Sequence, residues 1–266
     1  MGTGSSISQR YQNEGYVSPI QLISADEANS HRTKLEEVER EHGSLHYRSK
    51  IHTLLSFAAD LATSMPVLDV VEQILGPDIL LYDCTYITKE PHTDNYVSWH
   101  QDLTYWGLSG EEQVTLWLAL SPATTNSGCM RMIPSSHKQG KQQHIDNKDE
   151  NNVLHRGQNV PNVNESSAIM CPLEPGQASF HHGWTLHASM PNHSDDRRIG
   201  FNVQYITPSM KQTINPNASA LLIRGTDKFN HYKTDILASG IMEKEAVESQ
   251  AILDKATKET WGNAGT

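Results

Sequence analysis

Between residues 79 and 206 the sequence holds four runs dense in β-branched and aromatic side chains: Ile79 to Thr88, Val114 to Leu120, Gln177 to Leu186 and Arg198 to Ile206. Clusters of Pro, Gly, Asn and Ser separate them, which is the pattern of strands joined by turns. Strands that alternated with helices would build a parallel sheet, whereas strands grouped together build a sandwich or barrel braced by flanking helices. The flanks here are helical. Ser24-Ala25-Asp26-Glu27 is a capping box that opens a charged helix running to Glu41, with Gly43 as its stop. A second helix starts at Pro66, a residue suited to a first helical position, and passes through Val70, Val71 and Leu75 to Gly76. A third covers about Met242 to Ala256. The expected fold class is mainly β with flanking helices.

At 266 residues the chain is read as a single domain over 1–266. Its helical N-terminal part covers about 20–76, its β core about 79–210 and its C-terminal helical part about 211–266. No apolar run approaches the ~18 residues of a spanning helix. With 31 acidic against 21 basic residues the net charge is −10, which repels phosphate backbones and anionic headgroups. A small-molecule substrate is therefore expected, with neither nucleic acid nor membrane as partner, and a homo-oligomer is left open. Cys84, Cys129 and Cys171 are widely spaced with no CxxC pair, which argues against a disulfide framework or a thiolate zinc site and fits a reducing compartment. The start of the sequence has no basic stretch followed by an apolar one, so the Asn-x-Ser triplets at Asn164, Asn192 and Asn217 lack a secretory context and a cytoplasmic setting is expected.

Fourteen histidines make any single one uninformative; what matters is which have partners at ligand spacing. In Ser98-Trp99-His100-Gln101-Asp102, imidazole and carboxylate stand two apart, and on an extended segment such residues project to the same side and can share a metal ion. A third, neutral ligand can come from Phe180-His181-His182-Gly183-Trp184-Thr185-Leu186-His187. Two histidines and a carboxylate on one face of an octahedron leave three positions open, the arrangement of non-haem Fe(II) oxygenases. Zinc prefers a closed tetrahedron or a hydrolytic water. His182 is out of strand phase with His187 and reads as a packed or supporting histidine.

At this point the sequence resembles a known family. Trp99-His100-Gln101-Asp102, Val114-Thr115-Leu116-Trp117-Leu118-Ala119-Leu120, Asn126-Ser127-Gly128-Cys129-Met130-Arg131-Met132-Ile133-Pro134-Ser135-Ser136-His137, and His187-Ala188-Ser189-Met190-Pro191-Asn192 followed by Arg197-Arg198 are similar, in order, to the motifs of the phytanoyl-CoA dioxygenase family. The resemblance implies a double-stranded β-helix, also called a jelly roll or cupin-like fold, that uses Fe(II), 2-oxoglutarate and O2. Carried over residue by residue, it implies His100, Asp102 and His187 as iron ligands and Arg198 as the holder of the distal carboxylate of 2-oxoglutarate. A guanidinium suits that task because it binds a carboxylate bidentately and stays charged. Ser189 would add a hydroxyl and Trp117 would wall the cosubstrate pocket, while Arg197 points the other way.

Family members that chlorinate have Ala or Gly where this chain has Asp102, so hydroxylation or another oxidative outcome is implied, with release of succinate and CO2. The substrate is not implied, since members act on acyl-CoA thioesters, amino acids, osmolytes, phosphonates and secondary metabolites. Two rivals stand beside the hydroxylase: a non-catalytic jelly-roll binding or regulatory protein with a vestigial metal site, and a zinc hydrolase, which would give Arg198 no role. Candidate substrate residues are Tyr82, Trp106 and Arg156. Tyr82 is grouped by strand alternation with Leu80, Cys84 and Tyr86, against Leu81, Asp83, Thr85 and Ile87 on the other face. Arg156, like His155, lies in the long polar stretch from His137 to Ser167, long enough to fold across the mouth.

Overall fold

The computed structural model describes residues 5–146, 149–154 and 158–264. Among these, α1 (Ile7–Glu14) and α2 (Ala25–His42) each begin on a capping box, Ser6 with Gln9 and Ser24 with Glu27, so first-turn amides that lack an intrahelical partner are met locally. β1 (Tyr16–Gln21) runs between them. α3 (Ser56–Ala62) and α4 (Met65–Leu75) follow, α4 with Pro66 in its first turn. No helix of the described residues is long and apolar enough to cross a membrane.

The β core is a double-stranded β-helix of two sheets. The larger comprises β1, β2 (Ile79–Lys89), β4 (Gln113–Ala119), β7 (Gln177–His181), β9 (Arg198–Ile206), β10 (Ser219–Arg224) and β11 (Lys233–Thr234), in the order β1-β7-β4-β9-β2-β10-β11. The smaller comprises β3 (Val97–His100), β5 (Met130–Met132), β6 (Ile169–Cys171) and β8 (His187–Ser189), in the order β3-β8-β5-β6. A short α5 (Leu103–Trp106) follows β3, and α6 (Lys244–Asn263), longer than the expected Met242 to Ala256, closes the chain. One face of the larger sheet, carrying Leu116, Leu118, Phe201, Val203 and Tyr205, forms a continuous apolar cluster with α2, α3 and α4. The other face carries Trp117, which packs with Met130 and Met132 of the smaller sheet. Burial on one side therefore anchors the scaffold and leaves the inner face free to carry polar chemistry.

Three local expectations are corrected. The run from Gln177 to Leu186 is not one strand: β7 ends at His181, the chain turns with the Thr185 amide donating to the His182 carbonyl at 2.8 Å, and it re-enters the other sheet as β8. The extended geometry expected to bring His100 and Asp102 together stops at His100; Asp102 is already helical, at φ −58°, ψ −46°, as the N-cap of α5. The alternation proposed for β2 breaks between Leu81 and Asp83, where its register against β9 shifts. There the Asp83 carboxylate accepts the amides of Lys50 and Cys84, and the Lys50 ammonium takes the Tyr82 carbonyl. These contacts hold an irregularity that moves Leu81, Cys84 and Tyr86 to the helix side and gives Thr85 and Ile87 to the interior cavities.

Candidate metal centre and cosubstrate pocket

Register places the two histidines. On adjacent strands of the smaller sheet, His100 of β3 lies directly opposite His187 of β8, with ring centroids 4.1 Å apart. Asp102 turns in from the start of α5, so Oδ1 stands 3.3 Å from His100 Nε2 and 3.6 Å from His187 Nε2. One ligand atom from each of the three residues lies within 4.8 Å of the others. The far side of each ligand is fixed. His100 Nδ1 is 2.9 Å from the Ser98 carbonyl and His187 Nδ1 is 3.0 Å from the Thr185 carbonyl; an Nδ1–H donated there leaves Nε2 with a free lone pair toward the centre.

Asp102 Oδ2 accepts from the Thr115 hydroxyl at 3.1 Å and faces His181 Nε2 at 3.2 Å, so the carboxylate is clamped with Oδ1 inward. Burial opposes its charge, yet the surrounding His187, His100 and His181 hold the carboxyl well below the usual range. Burial and the neighbouring His100 push His187 well below the ordinary histidine value, toward the neutral form that binds metal. His181 thus has a contact the sequence did not single out, because it depends on β7 and β3 converging from different sheets. His182 packs against Tyr11 and His137, away from the centre. Gln101, fully buried, turns opposite to its neighbours and binds the long polar stretch: its side chain donates to the Gly140 carbonyl and accepts the Gln142 amide.

Next to the triad, a cavity is lined by Trp117, His187, Ser189, Arg198, Asn202 and Tyr47, among others. Arg198 is 1% exposed, yet no carboxylate among the described residues pairs with it. One Nη donates to the Gly128 carbonyl at 2.6 Å, the guanidinium lies 5.3 Å from the Trp117 ring centroid, and Nε has no hydrogen-bond partner. Burial alone lowers it to about 10. A buried cation with an orphaned donor fits an anionic ligand. Gly200, between Arg198 and Asn202 on β9, is what lets Trp117 lie there, since a Cβ would meet the indole at 2.1 Å. Arg197 takes the opposite face and pairs with Glu39 and Glu90 at 2.9 and 2.8 Å.

Lys89 was not anticipated. It is buried opposite Arg198 in the β2–β9 register, and its Nζ donates to the Ser189 hydroxyl at 2.7 Å and to the carbonyls of Ser189 and Met190. A hydroxyl that accepts from Lys89 has its own proton free for a ligand. Burial and Arg198 draw the ammonium down to about 6.

The substrate candidates separate. Trp106 lines a second cavity beside the centre. Tyr82 stands one layer behind, its phenol accepting from Gln212 Nε2, which also donates to the Trp106 carbonyl. Arg156 and its neighbour His155 lie outside the described residues.

The family model of phytanoyl-CoA dioxygenase (PhyH) matches residues 9–200. A probable alpha-ketoglutarate-dependent hypophosphite dioxygenase of Stutzerimonas stutzeri is 28% identical over 152 residues, 55% of this chain and 52% of its own. A 1-deoxypentalenic acid 11-beta-hydroxylase of Streptomyces arenae is 26% identical over 146 residues, 52% of this chain and 51% of its own. The chain thus spans about half the length of these curated relatives. A solved non-heme monooxygenase, ThoJ, superposes with a TM-score of 0.84 at 29% identity, covering 97% of this chain and 100% of that one.

Proposed function

The chain belongs to the phytanoyl-CoA dioxygenase family, and from that premise we propose that it is an Fe(II)- and 2-oxoglutarate-dependent dioxygenase that hydroxylates an unactivated C–H bond of a small metabolite, releasing succinate and CO2. The observation that carries this reading is a two-histidine, one-carboxylate donor set next to a cavity that His187 shares with a buried arginine lacking an anionic partner among the described residues. That donor set suits non-haem Fe(II), and the arginine suits a dicarboxylate. When bound, Fe(II) with 2-oxoglutarate and O2 supplies the oxidising power for C–H cleavage.

The protein's own part is positional. His100 and His187 present Nε2 and Asp102 presents Oδ1, each oriented by the backbone carbonyls, Thr115 and His181. Arg198 would hold the distal carboxylate of 2-oxoglutarate and Ser189 would donate its hydroxyl to it, while Lys89 holds that hydroxyl in place and Trp117 bounds the pocket. Asp102 fills the ligand position that a halide would need, which favours hydroxylation. An intact set argues against a vestigial site, and a zinc hydrolase would leave Arg198 unexplained.

The test is succinate formation from 2-oxoglutarate, with Fe(II), across a panel of small metabolites, with His187→Ala as control. Substrate-stimulated succinate in the wild type alone supports the reading. A folded wild type that forms none with any substrate overturns it. Hydroxylated product matching succinate in amount distinguishes hydroxylation from other oxidations.

A further inference from the structure

Beside the metal centre lies a cavity of about 160 Å³. Its floor is Asn202 and Gln204 of β9, and Tyr105 and Trp106 form one wall. Tyr47 and Asn202 line both this cavity and the pocket beside Arg198, and the Tyr105 ring is 6.5 Å from that of His100, so the space adjoins the metal centre. The outer wall is Trp261 and Lys258 of α6. That helix docks on the segment carrying Tyr47: Gln250 accepts from Arg48 at 2.9 Å, and Asp254 accepts the Ser49 amide at 2.9 Å while pairing with Lys258 at 2.7 Å. Helix and Tyr47 segment therefore form one unit.

Gln204 is 7% exposed, and its Oε1 is fully buried without a hydrogen-bond partner among the described residues. A buried acceptor left unpaired at a cavity wall is a place where water or an entering donor group can bond. Aromatic walls favour a flat ring, and an apolar cavity of about 150 Å³ is of a size that takes benzene. A hydrocarbon ring would satisfy the walls and leave Gln204 unmet.

We propose that this cavity is the subsite for an aromatic group bearing an N–H or O–H donor, with Gln204 Oε1 accepting that donor and Trp261 closing over the ring. The proposal rests on the oxygenase reading only for the chemistry that follows binding. The test is calorimetric titration of the protein with indole and with benzofuran, which has the same shape and no N–H. Wild type should bind indole about 10-fold more tightly, as expected for one hydrogen bond to an otherwise unpaired buried group. Gln204→Met and Gln204→Leu should bind both rings alike, and Trp261→Ala should weaken both. Equal affinities in wild type, a preference for indole that survives in a folded Gln204 variant, binding unaffected by Trp261→Ala, or no binding of either ring would overturn the proposal. Because titration needs no turnover, discrimination without succinate formation in the metabolite panel refutes the oxygenase reading alone, and succinate formation without discrimination refutes this assignment alone.

Discussion

Each residue around the centre has a contact that sets the size of its effect. On the proposed reading, His100→Ala, Asp102→Ala and His187→Ala each remove one of three ligands, so turnover should vanish while the thermal unfolding profile survives. His181 only orients Asp102. Its replacement by Ala should weaken Fe(II) binding about 10- to 100-fold, the usual cost of losing a ligand's outer partner, measured by metal titration; an unchanged affinity would place His181 in packing alone. Arg198 and Arg197 make a paired control. Losing one partner of a buried charge-assisted pair costs roughly 2–5 kcal/mol, so Arg198→Met should raise the 2-oxoglutarate dissociation constant about 10²-fold or more. Arg197→Met breaks only ion pairs on the opposite face of β9, with Glu39 and Glu90, and should leave it unchanged. Equal effects would invalidate the face assignment of β9.

At the scale of elements, β9 acts as a ruler. Its inward residues alternate as Arg198, Gly200, Asn202 and Gln204, at roughly 3.3 Å of rise per residue, carrying the proposed cosubstrate end, the Trp117 seat, the junction and the second cavity in turn. Gly200 is the weakest link in that series. Gly200→Ala sets a methyl 2.1 Å from the Trp117 indole, and forcing extra volume into packed structure costs about 1–3 kcal/mol. The displaced indole is the one that lies against Arg198, so a lower unfolding temperature should come with weaker 2-oxoglutarate binding. A destabilised variant with unaltered cosubstrate affinity would separate Trp117 from the pocket.

For the whole molecule, three histidines on separate elements share one device. A ring nitrogen of His46 accepts the Thr88 amide at 3.0 Å, one of His144 accepts the Gln101 amide at 3.1 Å, and one of His182 accepts the Trp184 amide at 3.1 Å. Burial is the first cause that lowers each to about 4, with Arg198 adding at His46 and His137 at His182. Between pH 6.5 and 4 the unfolded chain therefore binds protons that the folded one refuses, so stability is full above 6.5 and falls as pH drops through that window. The slope is up to about 1.4 kcal/mol per pH unit for each histidine. Urea unfolding at pH 7 and pH 5 should show the loss, and His182→Gln should shrink it; an identical acid response in that variant would remove His182 from the set.

How far the chain could be read by itself follows from what is local. Capping boxes, the proline at the head of α4 and the β-rich runs are written in neighbouring residues, since propensity and capping act within a turn or a strand, and they predict α2, α4, β2, β4 and β9 almost to their ends. The motif residues His100, Asp102, His187, Ser189 and Arg198 could be picked out because each motif is a short segment, and the structure sets the first three together and the last two in the adjoining cavity. What joins segments was not legible. That His100 faces His187 is a matter of register between β3 and β8. The clamp of His181 on Asp102 requires β7 to end where it does and the chain to cross to the other sheet. The two faces of β2 do not follow the expected alternation because Asp83 and Lys50, distant in sequence, hold a bulge that shifts it. Lys89, Gln204 and the α6 wall gain their meaning only from what burial sets beside them. Sequence determines which groups are available and which local shapes they prefer; tertiary structure alone decides which of them are buried together around a cavity, because burial and register join segments that are distant in the chain.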